Sequence, residues 1–535
     1  MNSDDQPLAT SREVMSLGVG TPPARAAFNT GRPSGVVSPW WIALSVMLAA
    51  FIEVLDTSIA NVSLSHIAGS LSVSTDESTW VLTTYLISNA IVIPSTAWFG
   101  LRLGRKRFLL ACVALFTLSS FLCGVATSLP MLLVMRIIQG AGGGALQPIA
   151  QTILFESFPK EKHGQAMGIY GLGVVVAPII GPVLGGWITD NYSWRWIFFI
   201  NVPIGIVAMV LMQNFIHDPP WIREARAPKL DVVGFGFMSL WLGCQEVLLD
   251  KGQEDDWFGS RFIVLMAVLA VAGLAAFLTR VLTADRPFVD LRVMRVYNFS
   301  LGLFLMFCAG VTLYGLTAAI PLFLQELMGY TSLQSGLAMI PRGLGALVAM
   351  PLAGALVGRV QGRYLAAGGF MAFGLASLAL SRLSPDLTPA LLFVPLFFSG
   401  VSIGFMFVPL NTLGLGSFKA EQIGNASGIF NLMRNVGGSF GISLVTTLVA
   451  RSAQAHQVIL AAHLTPYDAA VRASLGSGAA PQQTALGQMY RALLGQSSLL
   501  AFLDDFRWFA LLGILCVAGA LLLKKSKARG PVAAH

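Results

Sequence analysis

The chain has 535 residues, 55% of them hydrophobic and 11% charged, with a mean hydropathy of +0.71. Soluble domains carry about 25% charged residues, so the composition excludes an ordinary soluble protein and predicts a polytopic membrane protein. The net charge of +8 comes from Lys and Arg gathered in short connections between apolar stretches, so it is no evidence for nucleic acid.

Residues 1–37 are polar and rich in Ser, Pro and Gly, with no apolar h-region, so no cleavable signal peptide is expected. Fourteen apolar stretches follow, near 40–63, 79–100, 108–127, 130–153, 165–187, 195–215, 231–250, 260–282, 299–325, 334–357, 365–383, 389–416, 425–450 and 506–523. A bilayer crossing needs roughly 20 residues. An even count puts both termini on one side. The connections on that side hold Arg102, Arg105, Lys106, Arg107, Lys160, Lys162, Arg223, Arg226, Lys229, Arg280, Arg286, Arg292 and Arg295. This bias predicts that both termini are cytoplasmic. The segment 451–505 is then the longest loop, on the far side, and is either a solvated linker or a docking point for a partner. The five cysteines, Cys112, Cys123, Cys244, Cys308 and Cys516, all fall in apolar spans, spaced neither as a metal cluster nor as a disulfide framework.

Span 1 carries the most informative feature, Glu53-Val54-Leu55-Asp56-Thr57-Ser58-Ile59-Ala60-Asn61-Val62. A charge at the centre of a span costs about 2.5–3.5 kcal/mol on insertion scales, so it is usually functional. Glu53 and Asp56 stand three apart, which places both on one helix face. Two such acids do not both ionise easily in a low dielectric, and the pair suits a proton carrier; a single satisfied polar contact between helices is the alternative. Arg136 in span 4 keeps its charge and needs an anionic partner or water. It serves either to modulate a span-1 acid or as half of a static ion pair. Glu246 in span 7 is a third acid, near the end of its span, where a solvated structural role is expected.

The chain also repeats itself. Gly164-Gln165-Ala166-Met167-Gly168-Ile169 matches Gly424-Asn425-Ala426-Ser427-Gly428-Ile429 at an offset of 260, and Phe158 and Phe418 precede the two copies equally. The echo predicts a duplicated six-span unit, spans 1–6 and 9–14, with spans 7 and 8 inserted between. Parallel halves with a site between them near mid-membrane describe a major-facilitator transporter. The expected divisions are a tail at 1–37, a first bundle at 38–217, a linker with two extra helices at 218–296, a second bundle at 297–525 and a tail at 526–535. No Gly-Lys pair of a phosphate-binding loop occurs, and Ser, His and acids form no catalytic constellation, so no enzyme activity is expected.

Several motifs are shared with one family: Leu55-Asp56-Thr57-Ser58-Ile59-Ala60-Asn61-Val62, Arg102-Leu103-Gly104-Arg105-Lys106, Arg136-Ile137-Ile138-Gln139-Gly140, Ala177-Pro178-Ile179-Ile180-Gly181-Pro182-Val183-Leu184-Gly185-Gly186, and the run from Trp194 to Gly205. With them the chain, over about 38–525, resembles the fourteen-span drug:proton antiporters of the major facilitator superfamily, the EmrB/QacA type, and most the EmrB branch. The resemblance implies an all-α major-facilitator fold of two six-helix bundles plus two inserted helices. It implies multidrug efflux of lipophilic toxic compounds across an inner membrane, driven by the proton gradient and no other cofactor. A dedicated exporter of one metabolite, siderophore or lipid on the same fold is the alternative.

The resemblance also assigns roles. Arg136 matches an arginine implied in proton coupling; Asp56 and Glu53 are its candidate acids, Glu53 as an extra titrating group at a position where EmrB-like chains can have an amide. Pro178, Gly181, Pro182, Gly185 and Gly186 form the antiporter motif, although Gly181 and Gly185 also read as a small-xxx-small packing pair. Gly104 and Arg105 belong to a cytoplasmic latch, in which Leu101 departs from the usual Asp. Asn61, Gln139, Gln325, Asn411 and Arg434 are candidate polar groups of the substrate cavity. The implied partners are a periplasmic adaptor, an EmrA-like membrane-fusion protein, and a TolC-like outer-membrane channel.

Overall fold

The computed structural model of the protein describes residues 38–219, 221–222, 230–284, 287–384, 389–465, 467, 471 and 482–524. The tails at 1–37 and 526–535 and the middle of the 451–505 segment lie outside the described residues. The described residues contain helices and no strand. Thirteen of these helices are long and apolar enough to cross a membrane. They are α1 (Pro39–Val62), α2 (Asp76–Leu103), α3 (Arg105–Gly124), α4 (Leu129–Ser157), α5 (Lys160–Asn191), α6 (Trp196–Phe215), α7 (Val232–Lys251), α8 (Arg261–Thr283), α9 (Tyr297–Leu327), α10 (Leu333–Leu356), α11 (Gly362–Leu380), α12 (Leu391–Leu415) and α13 (Glu421–Ala461). A fourteenth, α14 (Gln482–Leu521), carries Asp504, Asp505 and Arg507 ahead of its apolar stretch.

The packing pairs repeat. In the first bundle α1 packs on α5 and α6, α4 on α2 and α3, and α3 on α6. In the second, α9 packs on α13 and α14, α12 on α10 and α11, and α11 on α14. Each pair reappears eight helices later, as two copies of one six-helix bundle with α7 and α8 between them. The local signals repeat as well. Ser74 starts α2 with a capping box to Glu77, and Thr331 starts α10 with a capping box to Gln334. In each, two orphan amides at a helix start are satisfied reciprocally.

The halves meet reciprocally, α5 against α10 and α13 against α2. The glycines of the sequence echo are among the points of close approach. A Cβ on Gly164 would lie 2.7 Å from the carbonyl oxygen of Gly354, and one on Gly168 2.8 Å from that of Met350. In the second copy, a Cβ on Gly424 would lie 3.0 Å from Nη1 of Arg105, and one on Gly428 3.3 Å from the carbonyl oxygen of Ile93. These contacts close the bundle at the end where α1 begins. The inserted helices pack on each other, and α7 also packs on α2 and α13.

Within the first bundle, α5 lies along α1 on a glycine stripe. Added Cβ atoms on Gly181 and Gly185 would collide with Ser58 and Val62. Pro182 has no N–H to give the Pro178 carbonyl four residues back. Ser58 Oγ donates to that carbonyl at 3.3 Å instead.

The 451–505 segment differs from the expected loop. Helix α13 continues past the span to Ala461, and α14 already begins at Gln482. Ala, Gln and Leu are strong helix formers, so the chain needs no apolar run to stay helical there. His456 Nε2 meets Asp504 Oδ2 at 2.7 Å, tying the two extensions together, and Arg507 of the same helix holds Asp504 Oδ1 at 2.6 Å.

Candidate functional site

Asp56 on α1 and Arg136 on α4 form a buried ion pair, with exposures of 1% and 0%. Arg136 Nη1 donates to Asp56 Oδ2 at 2.5 Å and to Gln139 Oε1 at 2.8 Å, while its Nε donates to the Val81 carbonyl at 3.0 Å. Gln139 Nε2 and Asn201 Nδ2 donate to Asp56 Oδ1 at 2.9 and 2.7 Å. The guanidinium lies 4.3 Å from the Tyr85 ring centre and 5.6 Å from that of Phe198. Breaking a buried pair by removing one partner costs about 3–5 kcal/mol, so this cluster fixes α1, α4 and α6 to one another.

Glu53, one turn earlier, has different company. Asn89 Nδ2 donates to its Oε1 at 3.1 Å, and Gln147 Nε2 donates to its Oε2. Both amides are held in turn from the second bundle. Arg434 Nη2 donates to Gln147 Oε1 at 2.6 Å, and Asn435 Nδ2 donates to Asn89 Oδ1 at 3.4 Å. Arg434 is 2% exposed and makes no ion pair among the described residues. Its charge is answered across the interface, through one amide, by Glu53.

Glu53 lines a cavity of about 220 Å³ between the halves; Asp56 is not part of its wall. The lining runs from Glu53 and Asn89 in the first bundle through Tyr314 and Asn435 in the second to Glu254, beyond the end of α7. The cavity therefore leads from mid-span toward the end opposite the glycine closure.

The expected site residues separate into groups. Glu53 and Arg434 come together at the interface, through Gln147, which was not expected there, and Asp56, Arg136 and Gln139 within the first bundle. Gln139 belongs to the ion-pair cluster and does not line the cavity. Asn61 and Gln325 lie exposed at the far ends of α1 and α9, away from the cavity. Asn411 is buried and donates to the Phe407 carbonyl of its own helix at 2.8 Å. Arg105 is buried against Glu156 at 3.0 Å. Gly104 has φ +88, a conformation that favours glycine, and an added Cβ would lie 2.7 Å from Asp218 Oδ2. Asp218 also accepts from the amide of Lys106 at 2.8 Å. A carboxylate thus serves this connection even though Leu101 replaces the usual one.

Glu246 was expected to be solvated; it is buried, lines the cavity and accepts from Ser439 Oγ at 2.8 Å. Of the polar stripe on α13 the sequence reading singled out Arg434 and missed its neighbours. Ser427, Asn431 and Arg434 recur every three to four residues on one helix face, and Ser439 lies off that face, toward Glu246. Ser427 donates to the Pro148 carbonyl at 3.1 Å, and Asn431 donates to Gln151 at 2.8 Å. That spacing was the available signal.

The chain matches the Major Facilitator Superfamily over residues 46–442. It is 37% identical over 430 residues to the multidrug export protein EmrB of Haemophilus influenzae, covering 80% of this chain and 84% of that one. The fatty acid resistance protein FarB of Neisseria gonorrhoeae is also 37% identical over 430 residues, with the same coverage. Among solved structures, the proton:xylose symporter XylE bound to 6-bromo-6-deoxy-D-glucose aligns with a TM-score of 0.60 at 15% identity. That alignment covers 91% of this chain and 96% of XylE, a likeness of fold alone. With duplicated six-helix bundles, a cavity between them and these relatives, the chain is a multi-pass membrane protein that belongs to the major facilitator superfamily, in its EmrB type.

Proposed function

We propose that the protein is a proton-driven exporter of chemically varied lipophilic compounds. The observation that carries this reading is the path from Glu53 through Gln147 to Arg434, which joins a carboxylate on the cavity wall of one half to a buried cation of the other. Access separates the two span-1 acids. Asp56 is enclosed by Arg136, Gln139 and Asn201 and keeps Arg136 compensated, whereas Glu53 meets the cavity and only neutral donors. A proton arriving at Glu53 removes the negative charge that answers Arg434, so the bridge between the halves weakens and the cavity can change the side it opens to. A substrate in the cavity competes with that proton, and such competition is what exchange requires. The relatives named as multidrug export proteins support the direction and the breadth.

In this reading the bundles divide at 38–217 and 297–525, with 218–296 as the insert. The basic connections support cytoplasmic termini, and the setting is an inner membrane. The helical extensions of α13 and α14 then stand on the periplasmic side, where an EmrA-like adaptor, itself joined to a TolC-like outer-membrane channel, would dock. Pro178, Gly181, Pro182, Gly185 and Gly186 act as the rigid seam of α5 along α1 during the rearrangement, and Gly104 and Arg105 act at the closed end.

The test uses purified protein in liposomes under an imposed pH gradient, with a panel of lipophilic compounds. Uphill movement that needs the gradient and is lost in Glu53→Gln is expected; transport that persists without a gradient overturns the reading. A second reading, export of a single lipid or metabolite, is favoured by the relative named as a fatty acid resistance protein. It predicts that one compound of the panel moves and the others do not.

A further inference from the structure

The cavity contains an acid that neither half of the duplicated fold supplies. Glu246 comes from the inserted helix α7, which wedges between α2 and α13 and contributes Leu242, Glu246, Leu249 and Asp250 to the wall. Its side chain is 6% exposed. Ser439 Oγ is its hydrogen-bond donor, at 2.8 and 3.0 Å from the two carboxylate oxygens. No Lys, Arg or His pairs with it among the described residues. A buried carboxylate with one neutral donor is costly unless a proton or a positive charge meets it.

The rest of the wall points the same way. Its other charged residues are Glu53, Asp250 and Glu254, and none is basic. Asp250 accepts from Thr83, and Lys251, the nearest cation in sequence, is held by Glu254 at 2.6 Å. Arg434 itself is not on the wall and reaches it through Gln147 and Asn435. Two aromatic side chains, Tyr85 and Tyr314, share the wall. Tyr85 is fully buried with Arg136 against its ring, so it is the half-buried Tyr314 whose face, next to carboxylates, suits a flat organic cation.

We infer that Glu246 reads positive charge in the cavity, so that the inserted helix makes this site selective for compact lipophilic organic cations. This inference rests on the export reading for its purpose but not for its test. It gives α7 a chemical role in the site beyond that of a spacer between the halves.

The experiment is equilibrium binding to the purified full-length protein in lipid nanodiscs, at one pH and with no gradient. The probes are 1-methylquinolinium and 1-naphthoate, two-ring molecules of similar size and opposite charge. Saturable binding of the quinolinium and none of the naphthoate is expected. Glu246→Gln should weaken quinolinium binding about thirtyfold or more, as loss of one partner of a buried charge pair does, and Glu246→Asp should retain most of it. Unchanged quinolinium binding in Glu246→Gln overturns the inference, as does equal binding of the two probes or no saturable quinolinium binding to the wild type. If Glu246→Gln does not fold, the two probes on the wild type and on Glu246→Asp decide the matter. A protein that binds quinolinium through Glu246 yet moves nothing under a pH gradient would overturn the export reading and leave this inference standing.

Discussion

Glu53 and Asp56 stand three residues apart on α1 and share no hydrogen-bond partner. Asp56 is bound by Arg136, Gln139 and Asn201, all of its own bundle, and Glu53 by Asn89 and Gln147, which are held from the other. Their substitutions should therefore fail differently. Asp56→Asn strands a buried guanidinium and should destabilise the protein by about 3–5 kcal/mol. Glu53→Gln loses charge but can keep part of its hydrogen bonding, at a cost of roughly 1–2 kcal/mol, while exchange is lost. Thermal unfolding in detergent, read beside liposome transport, separates the two. Equal melting temperatures for both variants would refute the distinction.

Among the described residues Gln147 is the side chain hydrogen-bonded to both Glu53 and Arg434. Gln147→Leu should fold with a loss of about 1–3 kcal/mol, the penalty for unsatisfied buried partners. Its expected phenotype is uncoupling, in which the pH gradient runs down without a matching movement of substrate. A pH-sensitive dye inside the liposomes measures this directly. A proton-to-substrate ratio equal to that of the wild type would show that coupling does not run through the bridge.

The spans and the duplication were legible because lipid forces long apolar runs and because the echo at 164 and 424 preserves glycines at helix crossings. Arg136 could be read as needing an anion, since a charge inside a span is conspicuous. That the anion is Asp56 and not Glu53 could not be read, because partner choice depends on where α4 crosses α1. Asn89, Gln147, Asn201 and Ser439 are single neutral side chains in apolar spans, which carry no charge signal and whose role depends on a neighbour far away in the chain. Asn61 sat in a family motif, yet the motif's last turn lies beyond the cavity. Helix α13 outran its expected end because helical propensity, unlike hydrophobicity, does not stop at the membrane surface.

Asp231 precedes α7 and accepts from the Gly234 amide and from Arg280 Nε, each at 3.1 Å. Burial opposes its ionisation, but the Arg280 and Gly234 hydrogen bonds and the Arg280 charge outweigh that and hold its carboxyl below the usual carboxylate range. A group with a depressed folded value adds stability above its unfolded value, about 3.9, and loses it as pH falls through the folded value. The clamp on the inserted helices should thus be intact from about pH 5 upward and weaken only below about pH 4. Arg280 is 42% exposed, so solvent screening limits its pairing to under about 1 kcal/mol. At neutral pH, Asp231→Asn should be close to neutral, and Asp231→Ala should cost about 1 kcal/mol through the lost cap. Hydrogen exchange at the first turn of α7 measures both, and equal protection in the two variants would contradict the cap.

The glycine closure should govern how fast the halves alternate. A Cβ on Gly164 would face the Gly354 carbonyl at 2.7 Å, a backbone atom that cannot turn aside. Gly164→Ala should therefore hold α5 and α10 apart at the end where α1 begins. Overpacking costs roughly 1–3 kcal/mol, enough to shift a two-state equilibrium by about fivefold to a hundredfold. Exchange should slow accordingly, and cysteines placed at that end should label faster, while quinolinium binding at the far side of the cavity is kept. Gly368→Ala is the control, since a Cβ there meets nothing within 4 Å. A Gly164→Ala protein that exchanges and labels like the control would mean that α5 and α10 do not have to approach this closely for the transport cycle to turn.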